Sequence, residues 1–173
     1  IDLLAYTILS NHLHLVLRTR PDIVESWDDT EAARRWLVAC PIRKGATEPT
    51  EPELNSIRND PVKLKAIRRR LSCISWWMKL LCQRIAQRAN KESEEKGVFW
   101  SGRFKAVRLL DETSILACAA YVDLNPIRAA MAETLESSCY TSIKTRIASL
   151  QQETGTKESS EESDASPDRF LAP

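Results

Sequence analysis

Leu9, Leu13, Leu15 and Leu17 fall on alternate positions, a period of two. That spacing predicts strand rather than helix. Residues 2–9 and 12–18 are read as strand, bent or continuous around Ser10 and Asn11. Farther on the period changes. Leu71, Ile74, Met78, Leu81 and Ile85 step by three and four, which predicts the longest helix, its apolar stripe packed against a sheet. Shorter helices are predicted at 31–39, 52–58 and from Pro61 onward. Thr30 can cap the first, and Asp60-Pro61 opens the last in cap-then-proline order. Pro21 and Asp28-Asp29 read as loop, and Pro41, Gly45, Pro49 and Pro52 as a surface linker. Residues 98–109 return to a strand-like pattern. Asp111 or Thr113 then caps a helix carrying Ile115, Leu116, Tyr121 and Asn125, which Pro126 is expected to end or kink. A short turn at 127–131 and an amphipathic helix at 140–150 complete the ordered part. The Glu/Ser/Thr-rich stretch 151–173 is expected to be a disordered acidic tail.

Composition narrows the class. A chain of 173 residues, 43% hydrophobic, suits one domain at 1–150 with a helical insertion at about 28–70, followed by the tail. No apolar run approaches the roughly 20 residues of a membrane span, and the N-terminus lacks signal-peptide features. The chain opens at Ile1 already inside strand-like sequence, which suggests a fragment or a lost start. Cysteines at 40, 73, 82, 118 and 139 are odd in number and form no Cys-x-x-Cys. They read as free, buried thiols in a reducing cytoplasm. Net charge is +1, but the last 22 residues hold six acids and two bases; the remaining 23 bases and 18 acids leave the folded part at +5. A mildly basic body is compatible with nucleic acid.

The chemistry concentrates in a few places. His12 and His14, the only two histidines, are two apart. On a strand they share a face and could hold one metal ion, while Leu13 turns to the apolar layer behind. Two exposed edge-strand histidines would look the same, and a third ligand has to arrive from elsewhere. Lys63, Lys65, Arg68, Arg69 and Arg70 crowd one helix without an acid among them, as a solvated face or a phosphate-contacting one. Arg103 and Lys105 interleave with Phe99, Trp100 and Phe104, which suits single-stranded nucleic acid or a half-buried edge strand. Tyr121 and Asn125 are one helical turn apart. Tyr121 reads either as a nucleophile or as a core tyrosine, and Asn125 as a ligand or as a turn residue before proline.

Three separated stretches together resemble one family. Ala-Tyr-Thr-Ile-Leu-Ser-Asn-His-Leu-His-Leu-Val-Leu (5–17) resembles the HUH strand of single-tyrosine transposases. Phe-Trp-Ser-Gly-Arg-Phe-Lys (99–105) resembles the strand after that family's long helix. Tyr-Val-Asp-Leu-Asn-Pro-Ile-Arg-Ala (121–129) resembles its nucleophile helix. The likeness is to the REP-associated tyrosine transposases and small insertion-sequence enzymes, and covers about residues 3–147. It implies an α+β fold: a ferredoxin-like antiparallel sheet with helices on one face, here lacking the family's first strand and helix and carrying extra helices. It implies His12, His14 and Asn125 as ligands of Mg²⁺ or Mn²⁺, and Tyr121 as catalytic nucleophile. Arg68, Arg69, Arg70, Arg103 and Lys105 are the candidate DNA contacts. The expected activity is metal-dependent cleavage and strand transfer of single-stranded or hairpin DNA through a 5′-phosphotyrosine. A bacterial, nucleoid-associated location, no membrane partner and a homodimer would be compatible with it. A phenol ordinarily keeps its proton to about pH 10, so attack needs help with deprotonation. The rival readings are a domesticated or inactive DNA-binding protein, a replication-initiator-type nickase, and a generic metal-binding α+β protein.

Overall fold

The computed structural model describes residues 1–157, and the expected acidic tail beyond Lys157 lies outside the described residues. The described part is α+β, with two strands and seven helices. The described chain divides into two compact units. One comprises Thr19–Ala106 with Ile1, and the other Asp2–Arg18 with Val107 onward.

The second unit is built on a hairpin. Strand β1 (Asp2–Ile8) pairs antiparallel with β2 (Leu13–Arg18), Ala5 opposite Val16 and Thr7 opposite His14, with a register shift between Leu3 and Ala5. The turn closes through the Leu9 N–H, which donates to the His12 carbonyl at 2.9 Å. The open end is clipped by Arg18, whose guanidinium donates to Asp2 at 2.8 and 3.1 Å. The other edge of β1 is covered: the Ile8 N–H donates to the Tyr140 carbonyl at 3.1 Å, and Ser142 Oγ accepts from the Tyr6 N–H at 3.0 Å. Covering an edge in this way blocks further strand pairing there.

Residues 98–109 form no strand, which corrects the second strand expectation. Alternation alone does not make a strand; the backbone needs a ladder partner, and no backbone hydrogen bond ties this stretch to the hairpin. Val98 and Val107 stand exposed as a result. Leu109 alone turns inward onto the core made by Leu4, Ala5, Val16, Ala119 and Val122.

The helices of the first unit are α1 (Pro21–Ser26), α2 (Asp29–Ala39), α3 (Glu51–Arg58), α4 (Pro61–Leu71) and α5 (Ile74–Glu92). The loop expected at Pro21 is thus a short helix. Local caps set most of the others. Asp28, rather than Thr30, caps α2 by accepting from the Glu31 N–H at 2.7 Å. Thr50 and Glu53 make a capping box at α3, and Asp60 accepts from the Val62 and Lys63 N–H groups at α4. Ala32, Ala33, Leu37, Leu54, Ile57, Leu64 and Ile67 pack between α2, α3 and α4. The stripe on α5 meets no sheet within this unit: it packs on α4, and only Met78 on it is fully buried.

The second unit adds α6 (Glu112–Arg128) and α7 (Ser142–Lys157). Asp111 caps α6, accepting from the Ser114 N–H at 2.7 Å. The helix runs through Pro126 rather than ending there. Proline removes one hydrogen bond, from the Val122 carbonyl, but its position near the end lets the terminal bonds offset the loss. Ala129 N–H donates to Asn125, Ala130 to Ile127 and Met131 to Pro126. Ala130 takes φ +53° to close this end, a conformation glycine adopts more readily. Helix α7 continues seven residues past position 150, where the sequence reading ended it. No cysteine is fully buried: all five are free, four half-buried and Cys139 exposed.

Candidate active site on the hairpin and helix α6

Three of the four chemically capable residues come together in the hairpin unit. His12 lies one residue before β2, yet its ring and that of His14 face each other edge-on, centroids 4.9 Å apart. Two imidazoles with nitrogens ~2.1 Å from one ion, at ~90–110°, would put their centroids roughly 4.5–5.2 Å apart. The observed separation therefore fits a shared ion. His12 Nδ1 lies 2.6 Å from Asn11 Oδ1. An Nδ1–H donating to that oxygen leaves Nε2 as the nitrogen with a free lone pair. Burial, and then the charge of His12, hold the His14 pKa below its ordinary value, which favours the neutral, ligating imidazole.

Tyr121 reaches the same place from α6. Its ring meets the His14 ring edge-on at 5.7 Å. The contact follows from how α6 packs: Ala119 and Val122 bury against Ala5 and Val16, and Tyr121 lies at the margin of that stripe. A core tyrosine would be buried with its hydroxyl bonded to a backbone partner. Tyr121 is 44% exposed, and its hydroxyl makes no hydrogen bond among the described residues.

Asn125 lies one turn along on the buried side of α6, 7% exposed. Its backbone carbonyl closes the helix end, while its side-chain amide makes no hydrogen bond among the described residues. The amide atoms themselves are not fully buried, so they stay open to water or a ligand. Thr7, fully buried and paired with His14 across the hairpin, likewise has an unpartnered hydroxyl. The donor set, two imidazoles and an amide, contains only two His/Cys/Asp/Glu members; accordingly no group of three such side chains gathers among the described residues.

Sequence reading missed two supports. Arg128 places its guanidinium 5.3 Å from the Tyr121 ring centroid. The seven-residue spacing, two helical turns, is the signal that points to it. Asp123 is the second: it is buried, accepts from Ser142 Oγ at 3.1 Å and pairs with Arg146, tying α6 to the start of α7. Nothing local in the sequence marks that link.

The five candidate DNA contacts all lie in the helical unit. Arg68 is structurally committed: it donates to the Val24 and Trp27 carbonyls and to Asp29, at 2.7–2.9 Å, holding the end of α1. Arg69, Arg103 and Lys105 are exposed, the last two on the stretch that forms no strand. Arg70 stacks on two indoles.

The chain matches no model of a known protein family, no curated protein and no solved structure. No helix among the described residues is long and apolar enough to cross a membrane.

Proposed function

We propose that the chain is a single-tyrosine HUH strand-transferase acting on single-stranded or hairpin DNA. The observation that carries this reading is the meeting of the His12–His14 pair with Tyr121, more than a hundred residues farther along the sequence. The motif resemblance supports it independently. On this reading β1, β2 and α6 are part of a ferredoxin-like sheet-and-helix layer, the protein works in the bacterial cytoplasm near the nucleoid, and a homodimer is compatible with it.

His12, His14 and Asn125 would hold a Mg²⁺ or Mn²⁺ ion. Such an ion polarises the scissile phosphate and orients it. The remaining work falls to the chain. The Tyr121 hydroxyl, exposed and unbonded, attacks phosphorus in line. The P–O3′ bond breaks, the 3′-oxygen leaves and takes a proton, and the phenolic oxygen, its own proton lost, keeps the 5′-phosphate. Arg128, beside the Tyr121 ring, offsets charge developing on the phenolic oxygen and phosphate. The phosphotyrosyl bond retains the energy of a phosphodiester, so an incoming 3′-hydroxyl reverses the step.

Covalent capture tests this. The protein is incubated with end-labelled single-stranded hairpin DNA and Mn²⁺, then run on a denaturing gel. The expected result is a protein–DNA adduct that Tyr121→Phe and His12→Ala each abolish. DNA binding without any adduct, in a folded protein, would instead support a binding protein without catalysis.

A further inference from the structure

The helical unit neutralises most of its arginines. Arg34 and Arg35 pair with Glu31, Arg43 with Glu53 and Arg58 with Glu51. Of the cations outside this scheme, three lie near aromatic side chains of α2 and α5. Arg70 on α4, with Lys79 and Arg84 on α5, pairs with no carboxylate among the described residues. These side chains gather around aromatic surface. The Arg70 guanidinium lies 4.5 Å from the Trp76 ring centroid and 5.5 Å from that of Trp36. The Lys79 ammonium lies 4.7 Å from Trp76. The two indoles meet edge-to-face at 5.9 Å. Arg84 donates to the Ala39 carbonyl at 2.6 Å, which brings it to the end of α2. Arg70 and Lys79 thus share the Trp76 indole, and Arg84 stands at the end of α2.

Gathering like charges costs free energy unless an anion joins them. Two features decide which anion. Two cations carried on one indole suit a backbone phosphate, and a cluster of guanidinium and indole planes suits a base. An acidic peptide would use the charge but not the aromatic platform. We infer that Arg70, Trp76, Lys79 and Arg84 form a binding surface for single-stranded nucleic acid, with backbone phosphate held by the three cations and a base stacked at Arg70 and Trp76. This surface stands apart from the tyrosine chemistry: it needs neither the histidines nor Tyr121.

The test uses the full chain and a fluorescein-labelled thymidine 15-mer, with affinity measured across a salt series. Lys79→Gln is the first variant, because Lys79 is exposed and touches only the indole face. It should weaken binding and lower the slope of log affinity against log salt by about 0.7, one phosphate contact on a single strand. Lys79→Gln with Arg84→Gln should lower it by about 1.4. Trp76→Phe should cost affinity and remove most of the tryptophan quenching that accompanies binding. An unchanged slope in the Lys79→Gln variant, with an unchanged circular dichroism spectrum, overturns the inference. So does equal affinity for a poly-glutamate peptide, which would make this a surface for acidic protein. Because the readout is the salt slope of binding and not adduct formation, failure here and failure of the strand-transfer reading remain distinct.

Discussion

Helices α2, α3 and α4 carry their start signals within a few residues: Asp28, Thr50 with Glu53, and Asp60 before Pro61. The hairpin unit is assembled differently. Residues 2–18 find their core on a helix that begins more than ninety residues later. All five tryptophans belong to the helical unit, and both histidines and all three tyrosines to the hairpin unit. The two regions therefore separate local from long-range folding, and also their spectroscopic probes. Stability in the first rests on a core between neighbouring helices; chemistry in the second rests on pairing distant segments.

The largest effect expected is on the helical core. Ile57, 1% exposed, packs between α2, α3 and α4. Ile57→Ala should cost about 2–5 kcal/mol, read as a lower urea midpoint by tryptophan fluorescence. If the two units are independent, the histidine ring signals of the hairpin unit keep their native positions in the same titration. If they are lost together, the comparison fails.

Breaking the link between α6 and α7 comes next. Asp123→Ala leaves Arg146 half-buried without its carboxylate, while Ser142 keeps the Tyr6 carbonyl as acceptor. The expected loss is about 1.5–3 kcal/mol, this time in the tyrosine and histidine signals and not in the tryptophan transition. A smaller gain is expected at the end of α6. Ala130→Gly relieves a left-handed backbone and should stabilise the hairpin unit by about 1 kcal/mol, measured by thermal melting.

The smallest effect is a pH slope. His14 has a folded pKa held below its ordinary 6.5 by burial and by His12. Protonation therefore favours the unfolded chain: the hairpin unit is stable above pH 6.5 and loses stability as pH falls from there through the lowered pKa. His14→Gln should flatten that slope in denaturation curves taken between pH 7 and 5.

Legibility follows the same division. Caps and three-and-four spacing made α2 to α5 readable, because their causes are local. The hairpin was readable from alternation, and its pair of histidines from their spacing. Residues 98–109 were misread because alternation there finds no partner strand. The run of α6 through Pro126 was missed because backbone bonds beyond the proline hold its end. Tyr121 was singled out by motif, but its meeting with His14 depends on how Ala119 and Val122 seat on Ala5 and Val16. Arg68, chosen for its charge, serves α1 instead, since carbonyl acceptors 41 and 44 residues away are invisible in the basic run around it.

The most direct measurement of the site needs no DNA. Mn²⁺ is titrated into the protein, and the paramagnetic broadening of the His12, His14 and Tyr121 ring signals is followed by nuclear magnetic resonance. One site made by the hairpin and α6 predicts that the three broaden together at the same low Mn²⁺ concentration. Asn125→Ala should move that concentration upward, and chelation should restore the signals. Broadening of the histidines without Tyr121, or none until binding becomes non-specific, would contradict the account.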